Sequence, residues 1–401
     1  MNTSFTDYAR RFAESPLAVL SLAVTLVCIL CAIFAPLIAP TNPYDLSKLQ
    51  LSDALKPSGS VQVVPGEELR TDIHIADGQV ASVSIAGSAV TGFRAATCGV
   101  GCLDLSALPE GAALSSLELR DLPRGAVVEG GRKHPVRPWW TVRNPAGSTV
   151  RVTADTAFPA SFDIMAIARA EPQETGLVFL LGTDSFGRDM LSAILYGIRI
   201  SILVGLVAAG GAMIIGTALG LLAAWRGGVT DALIMRAVDF MLGFPALLVG
   251  LAILAILGSG VGKVIVAIVL VQWCYYARTT RSVALSELGK EYVEAARCLR
   301  LSPTRTMVRH VLPNCLPQVI VLFTLNIAAA ISLESSLSFL GIGLPVTRPS
   351  LGMLIANGYE FIFSHKYWIS IYPGVALLVM IVAMNLLGDR LRDLNNPRLE
   401  R

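Results

Sequence analysis

Between Glu291 and Asn314 the chain places Glu291, Glu294, Arg297, Arg300, Arg305 and Arg309 within a turn or two of one another. The whole sequence is 54% hydrophobic and only 15% charged, so this density demands a reason. Either the stretch is a solvated loop, or it is a surface that another protein grips. Catalysis is excluded first. "GSGVGK" imitates a phosphate-binding loop, but the motif needs Gly where Leu257 stands and Ser or Thr where Val264 stands. No HExxH or GxSxG occurs, and the 4 histidines are scattered.

On a helix, Tyr292, Ala295, Ala296 and Leu299 fall at i, i+3, i+4 and i+7, a narrow face of mostly small side chains. Glu294 precedes Arg297 by one turn, the spacing of a flanking ion pair. The helix should stop near Arg300. Ser302 can then cap a second helix with Pro303 at its first position, running through Met307 and Val308 to Pro313. A face of adjacent alanines is what close approach by another surface requires, and a merely solvated loop needs none. The stretch therefore reads as a docking element.

The elements that must carry it are apolar. Long runs occur at Pro16–Ala39 and at about 198–224, 240–257, 262–280, 315–341 and 369–388. Runs near the ~20 residues needed to cross a bilayer make this an all-α polytopic membrane protein of six transmembrane helices. The first run exceeds a signal-peptide core, lacks an A-x-A site and reads as an uncleaved anchor. Six spans place fifteen Lys and Arg on the cytoplasmic side, with Arg278, Arg281 and Lys290 among them, against Lys263, Arg348 and Lys366 in the short outside loops. Merging the third and fourth spans would reverse that positive-inside bias. Both termini are thus expected in the cytoplasm.

Residues 41–178 differ in kind. "TDIHIADGQVASVSIAG" and "STVRVTADT" alternate with period two, and PG, DG, PEG, PRG and NPAG punctuate them. An inserted extracytoplasmic β-rich domain is expected, between a 1–40 segment holding the first span and a 179–401 core with its loop at 281–314. Its "CGVGC" brings Cys98 and Cys102 close enough for a disulfide in an oxidising compartment. Two thiols without nearby histidines do not complete a zinc site, and no metal is expected.

"EAARCLR…RHVLP" resembles the EAA loop of bacterial ABC importer permeases. Glu294, Ala295, Ala296, Leu312 and Pro313 match it, while Arg300 stands where the pattern has Gly and His310 where it has Ile. A non-Gly residue held left-handed there costs about 1 kcal/mol. "LLGTDSFGRDMLSAILYGIRISILVG", "SLSFLGIG" and "NLLGDRLRDLNNPRL" resemble the C-type permease subunit of dipeptide and oligopeptide importers, with a type I importer fold. The resemblance spans the N-terminal run and everything from about Leu180, and leaves out about Ser58–Val178. It implies a second permease subunit as heterodimer partner, two cytoplasmic ATPases that bind ATP and Mg²⁺, and an external solute-binding protein. This chain itself would hold no cofactor. Glu291, Glu294, Ala295, Ala296, Leu299, Arg300 and Pro313 would form the ATPase-coupling element. A permease for nickel or another small solute shares these motifs, and a membrane-anchored receptor is the reading from another class.

Charged groups inside a span cost about 2.5–3.5 kcal/mol each. Asn326 and Glu334, eight residues apart on one face, and Asn385 either line a solute path or lock helix packing. In "GTDSFGRD", Asp184, Arg188 and Asp189 either touch the binding protein or cap the adjoining span. Span two carries two rows of small residues, Gly197–Ser201–Gly205–Ala209 and Ala212–Gly216–Gly220. One row is expected to pack within the subunit and the other against a partner.

Overall fold

The computed structural model describes residues 10–45, 47, 49–64, 68–76, 81–83, 93–99, 102–107, 114–122, 124–137, 139–143, 149–155, 161–170, 173–345 and 347–394. The chain divides into a helical unit, Met1–Ser60 with Val178–Arg401, and a second unit, Val61–Leu177. The insertion therefore begins at Val61, and residues 41–60 belong to the helices rather than to the polar block.

The helical unit contains α1 (Pro16–Ile38), α2 (Met190–Arg226), α3 (Gly228–Leu242), α4 (Ala246–Leu257), α5 (Val261–Leu288), α6 (Glu291–Cys298), α7 (Pro303–Phe339), α8 (Leu351–Tyr359) and α9 (Trp368–Leu394). Their ends follow local chemistry. Ser15 caps α1 with Pro16 behind it, Asp189 caps α2, and Ser350 caps α8. Leu37, Ile214 and Leu378 are exposed while Ser201, Asn326 and Glu334 are buried, the inverse of a water-soluble surface. The main core joins Cys28, Met190, Ile198, Ile331, Leu354, Ile369 and Met384 from five of these helices.

Among the described residues five helices are long and apolar enough to cross a membrane: α1, α2, α5, α7 and α9. The straight third span expected at 240–257 is absent. Instead α3 and α4 meet at 95° across Gly243–Pro245, and together they pass the same test as one broken crossing. Pro245 disfavours helical geometry at Phe244 and offers no N–H of its own, so the helix breaks there. With 12 residues α4 reaches only ~18 Å, short of the ~30 Å hydrocarbon layer.

Both small-residue rows of α2 are consumed inside the chain, contrary to the expectation of a partner-facing row. A Cβ on Gly205 would stand 2.6 Å from Ile331 Cγ1 of α7, and one on Gly216 2.6 Å from Tyr276 Cβ of α5. Ala209 and Ala212 are likewise fully buried. Close helix contact in lipid needs such residues on every packed face, and α2 is packed on two.

The second unit is antiparallel β. Its strands are β1 (Ser60–Val64), β2 (Glu68–Ala76), β3 (Ala81–Val83), β4 (Phe93–Gly99), β5 (Cys102–Ala107), β6 (Leu114–Arg120), β7 (Val127–Val128), β8 (Gly131–Lys133), β9 (Trp140–Arg143), β10 (Thr149–Thr153), β11 (Ser161–Ala170) and β12 (Gln173–Phe179). Two sheets have the orders β3-β4-β5-β10-β7 and β2-β11-β6-β9-β8, and β1 pairs with β12. On β10, Val150 and Val152 are buried while Arg151 and Thr153 are exposed, the period-two pattern seen in the sequence. Cys102 is disulfide-bonded. The side chain of Cys98 lies outside the described residues, so the expected pair is described at one end only.

Candidate functional site

The charged stretch folds as expected at its turns and differently on its faces. Helix α6 ends with the hydrogen bonds Arg300 N–H to Arg297 O (2.9 Å) and Leu301 N–H to Ala296 O (3.1 Å). This is the Schellman closure, with Arg300 at φ +52° where glycine is usual. The left-handed turn expected from the missing Gly is thus present. Ser302 Oγ accepts the Arg305 N–H and Pro303 opens α7. The second helix does not stop at Pro313. It widens into a π turn over Met307–Val311 and runs on to Phe339. Asn314 Nδ2 donates to His310 O at 2.7 Å, supplying a donor to the π-turn segment just ahead of Pro313.

The expected face of Tyr292, Ala295, Ala296 and Leu299 is split. Val293 is buried against Ala284, Met307, Val311 and Cys315, where α5 ends and α7 begins, and Ala296 is buried beside it on the helix. Ala295 is exposed and Leu299 is 75% exposed. Glu291, Glu294, Ala295 and Cys298 form the open face, with Leu299 and Arg300 at its end. Valine outcompetes alanine for the inner position because it buries more apolar area. Among the described residues no ion pair joins Glu294 to Arg297. Arg297 instead lies over the Trp225 ring of α2, 5.7 Å from its centroid.

A polar network anchors α6 to the neighbouring helices. Glu287, in the last turn of α5, accepts from Lys290 Nζ at 2.7 Å and from Tyr292 Oη at 2.8 Å. Asn314 of α7 donates from Nδ2 to Tyr292 Oη at 3.2 Å. Burial first, and the Glu287 carboxylate second, push the Tyr292 hydroxyl up to about 12, so it remains a donor. Glu287, Tyr292 as a hydrogen-bonding group, Trp225 and Asn314 were not legible as site residues. Only the i,i+3 spacing of Glu287 and Lys290 hints at the network.

The remaining candidates do not gather into one site. Asp184, Arg188 and Asp189, expected as possible contacts at the surface, are 0%, 1% and 3% exposed. Asp184 Oδ2 accepts from Arg188 Nε at 2.6 Å, and its Oδ1 accepts the Phe186 and Arg188 N–H groups. Asp189 accepts from the Ser192 N–H and hydroxyl. These charges close a turn and cap α2. Glu334 is fully buried, accepting from Ser338 Oγ at 2.7 Å and from Ser201 and Ser335 at 3.2 and 3.3 Å. It ties α7 to α2 and is closed off from solvent. The side-chain amide of buried Asn326 donates to Leu322 O, and its backbone carbonyl accepts from Gln272 Nε2. Asn385 is exposed on α9, apart from both. No cluster of metal-ligating residues occurs among those described.

Known proteins match the chain on both sides of the insertion. Residues 216–401 match the family of binding-protein-dependent transport system inner membrane components, and 4–57 match the N-terminal TM domain of oligopeptide transport permease C. The di/tripeptide transport permease DppC of Pseudomonas aeruginosa is 40% identical over 222 residues, 55% of this chain and 73% of its own. The glutathione transport permease GsiD of Pectobacterium atrosepticum is 38% identical over 222 residues, again 55% and 73%. The dipeptide permease DppC of Alkalihalophilus pseudofirmus is 38% identical over 219 residues, 55% of this chain and 72% of its own. Among solved structures, the inward-facing MetNI methionine ABC transporter aligns over 51% of this chain and 97% of its own at 17% identity, with a TM-score of 0.42.

Proposed function

The chain belongs to the binding-protein-dependent transport permeases and is the permease subunit of a peptide ABC importer; from that premise we propose that α6 is its ATPase-docking helix. The observation that carries this is the pairing of an open face with a rigid back. Glu291, Glu294, Ala295, Cys298 and Leu299 are free to meet another surface. Val293 and the Glu287–Tyr292–Asn314 network hold the same helix to α5 and α7. A force applied to α6 is therefore delivered to two membrane-crossing helices at once. That is what converting ATPase closure into tilting of the spans requires.

The ATPase and binding-protein partners follow from the family. The finer assignment is a heterodimer with a second permease and two ATPases, which alone hold ATP and Mg²⁺. We place α6 and both termini in the cytoplasm. The basic residues around α6 support this through the positive-inside bias, provided that the bent α3–α4 pair is the sixth crossing. The solutes are short peptides, as the names of the di/tripeptide and dipeptide relatives indicate for those proteins. A receptor without transport is ruled out by family membership.

The test is Ala295→Trp in the complex reconstituted with its partner permease, ATPases and binding protein. Bulk on the open face should leave insertion and basal ATP hydrolysis intact and abolish the stimulation by peptide-loaded binding protein. Stimulation at the wild-type level would overturn the docking assignment.

A further inference from the structure

A cavity of about 470 Å³ in the helical unit is lined by Tyr44, Arg199, Ile200, Leu203, Thr347 and Arg348. Three distant segments build it: the chain following α1, the third turn of α2, and the turn before α8, which is closed by the Arg348 N–H to Pro345 O bond at 2.9 Å. Two arginines thus line one space open to solvent, both of them exposed, and no carboxylate is among its lining residues. Among the described residues neither Arg199 nor Arg348 forms an ion pair, whereas Arg188 is paired with Asp184 and Lys290 with Glu287. Tyr44 is fixed by edge-on contact with the Tyr196 ring at 4.9 Å, so its hydroxyl is held in place. Burial raises that hydroxyl's pKa while Arg199 and Arg348 both pull it down, which puts both cations within electrostatic reach of it.

Like charges side by side repel, and an anion bound between them relieves that repulsion. The guanidinium fork is the group best matched to a carboxylate or phosphate, binding it through two parallel hydrogen bonds. The cavity adds hydroxyl donors from Tyr44 and Thr347 and an apolar wall from Ile200 and Leu203. Its volume falls in the range of small-molecule sites, roughly 300–1,000 Å³. With 37 residues, α2 is ~55 Å long and exceeds the ~30 Å hydrocarbon layer, which leaves room for Arg199 at the interface or in a water-filled mouth.

We propose that Arg199 and Arg348, with Tyr44 and Thr347, form an anion site that takes the terminal carboxylate of an incoming peptide, Ile200 and Leu203 receiving the adjoining side chain. The site rests on the importer reading above. On that orientation it opens to the side from which peptide arrives, and it gives the permease a recognition point of its own, separate from the binding protein. A phospholipid headgroup presents the same anionic chemistry and is the other source to be distinguished.

The experiment compares uptake of dialanine and of dialanine amide by the full complex in phosphatidylcholine vesicles, with and without phosphatidylglycerol. The binding protein is unchanged, so any shift in the acid-to-amide ratio belongs to the permease. The double variant Arg199→Gln/Arg348→Gln should lower dialanine uptake about tenfold, the loss of a charge-assisted hydrogen bond, and leave the amide unaffected. Arg348→Lys, which keeps the charge, should recover part of the loss. Equal losses for acid and amide, or no loss for either, overturn the site. A defect that follows phosphatidylglycerol content and ignores the peptide terminus reassigns it to lipid and overturns the peptide proposal. If the wild-type complex imports neither peptide, the importer reading fails and takes this site with it; if wild type imports normally and the variants match it, only the site fails.

Discussion

Two charge clusters of similar composition have opposite fates in this protein. In "TDSFGRD" Asp184, Arg188 and Asp189 are withdrawn from solvent, and both carboxylates are bonded by Arg188 Nε, backbone N–H groups and the Ser192 hydroxyl. In "EYVEAARCLR" the charges of Glu291, Glu294, Arg297 and Arg300 stay exposed, and the neutral Val293 and Ala296 turn inward. The first cluster is spent on holding a turn and a helix start, and the second is left to bind. Charge density alone does not separate the two. What separates them is whether the hydrogen-bonding groups needed to neutralise the charges lie within the same few residues.

The sharpest way to break this contrast is Asp184→Ala. It leaves the Arg188 guanidinium buried without its carboxylate, which costs about 3–5 kcal/mol. The expected outcome is loss of the assembled complex in a thermal-stability assay in detergent. Normal stability would mean that the turn is not internally satisfied. Next is Ala296→Trp on the inner face of α6. In the isolated permease subunit, overpacking there should cost about 1–3 kcal/mol, whereas Ala295→Trp on the open face should leave the subunit's melting temperature unchanged. Equal effects from the two would erase the distinction between faces.

A smaller effect is expected at Tyr292. Removing its hydroxyl with Tyr292→Phe should cost about 1 kcal/mol and weaken peptide-stimulated ATP hydrolysis. The pH dependence has a definite sign. The hydroxyl titrates near 12 in the fold against an ordinary 10, so its contribution is complete below 10 and is lost as pH rises toward 12. Wild type should lose stability across that window more steeply than the Phe variant, as followed by thermal unfolding. The smallest expected change is Arg300→Gly. Relieving the +52° φ should stabilise the complex by up to about 1 kcal/mol with transport retained. Loss of ATPase subunits on purification would instead show that Arg300 contacts one of them.

By itself the sequence determined the features that depend on a few neighbouring residues. The apolar runs specify spanning helices, Ser302–Pro303 opens α7, and the residue at 300 is forced left-handed by the turn that follows "EAARCL". Period-two alternation marked β2 and β10, and the matched motifs on either side of the insertion identified the transporter. The tertiary structure decided what depends on partners distant in the chain. It turned Val293 inward in place of Ala295, used both small-residue rows of α2 on α5 and α7, and buried Asp184 with Arg188. It bent the third crossing at Gly243–Pro245, although the Phe-Pro step in the sequence already carries the local reason. It also joined Glu287 to Tyr292 and Asn314, and it brought Tyr44, Arg199 and Arg348 to one cavity. Propensity, capping and hydrophobic period act over one or two turns, whereas the burial of a charge or a face is set by whichever distant helix packs against it.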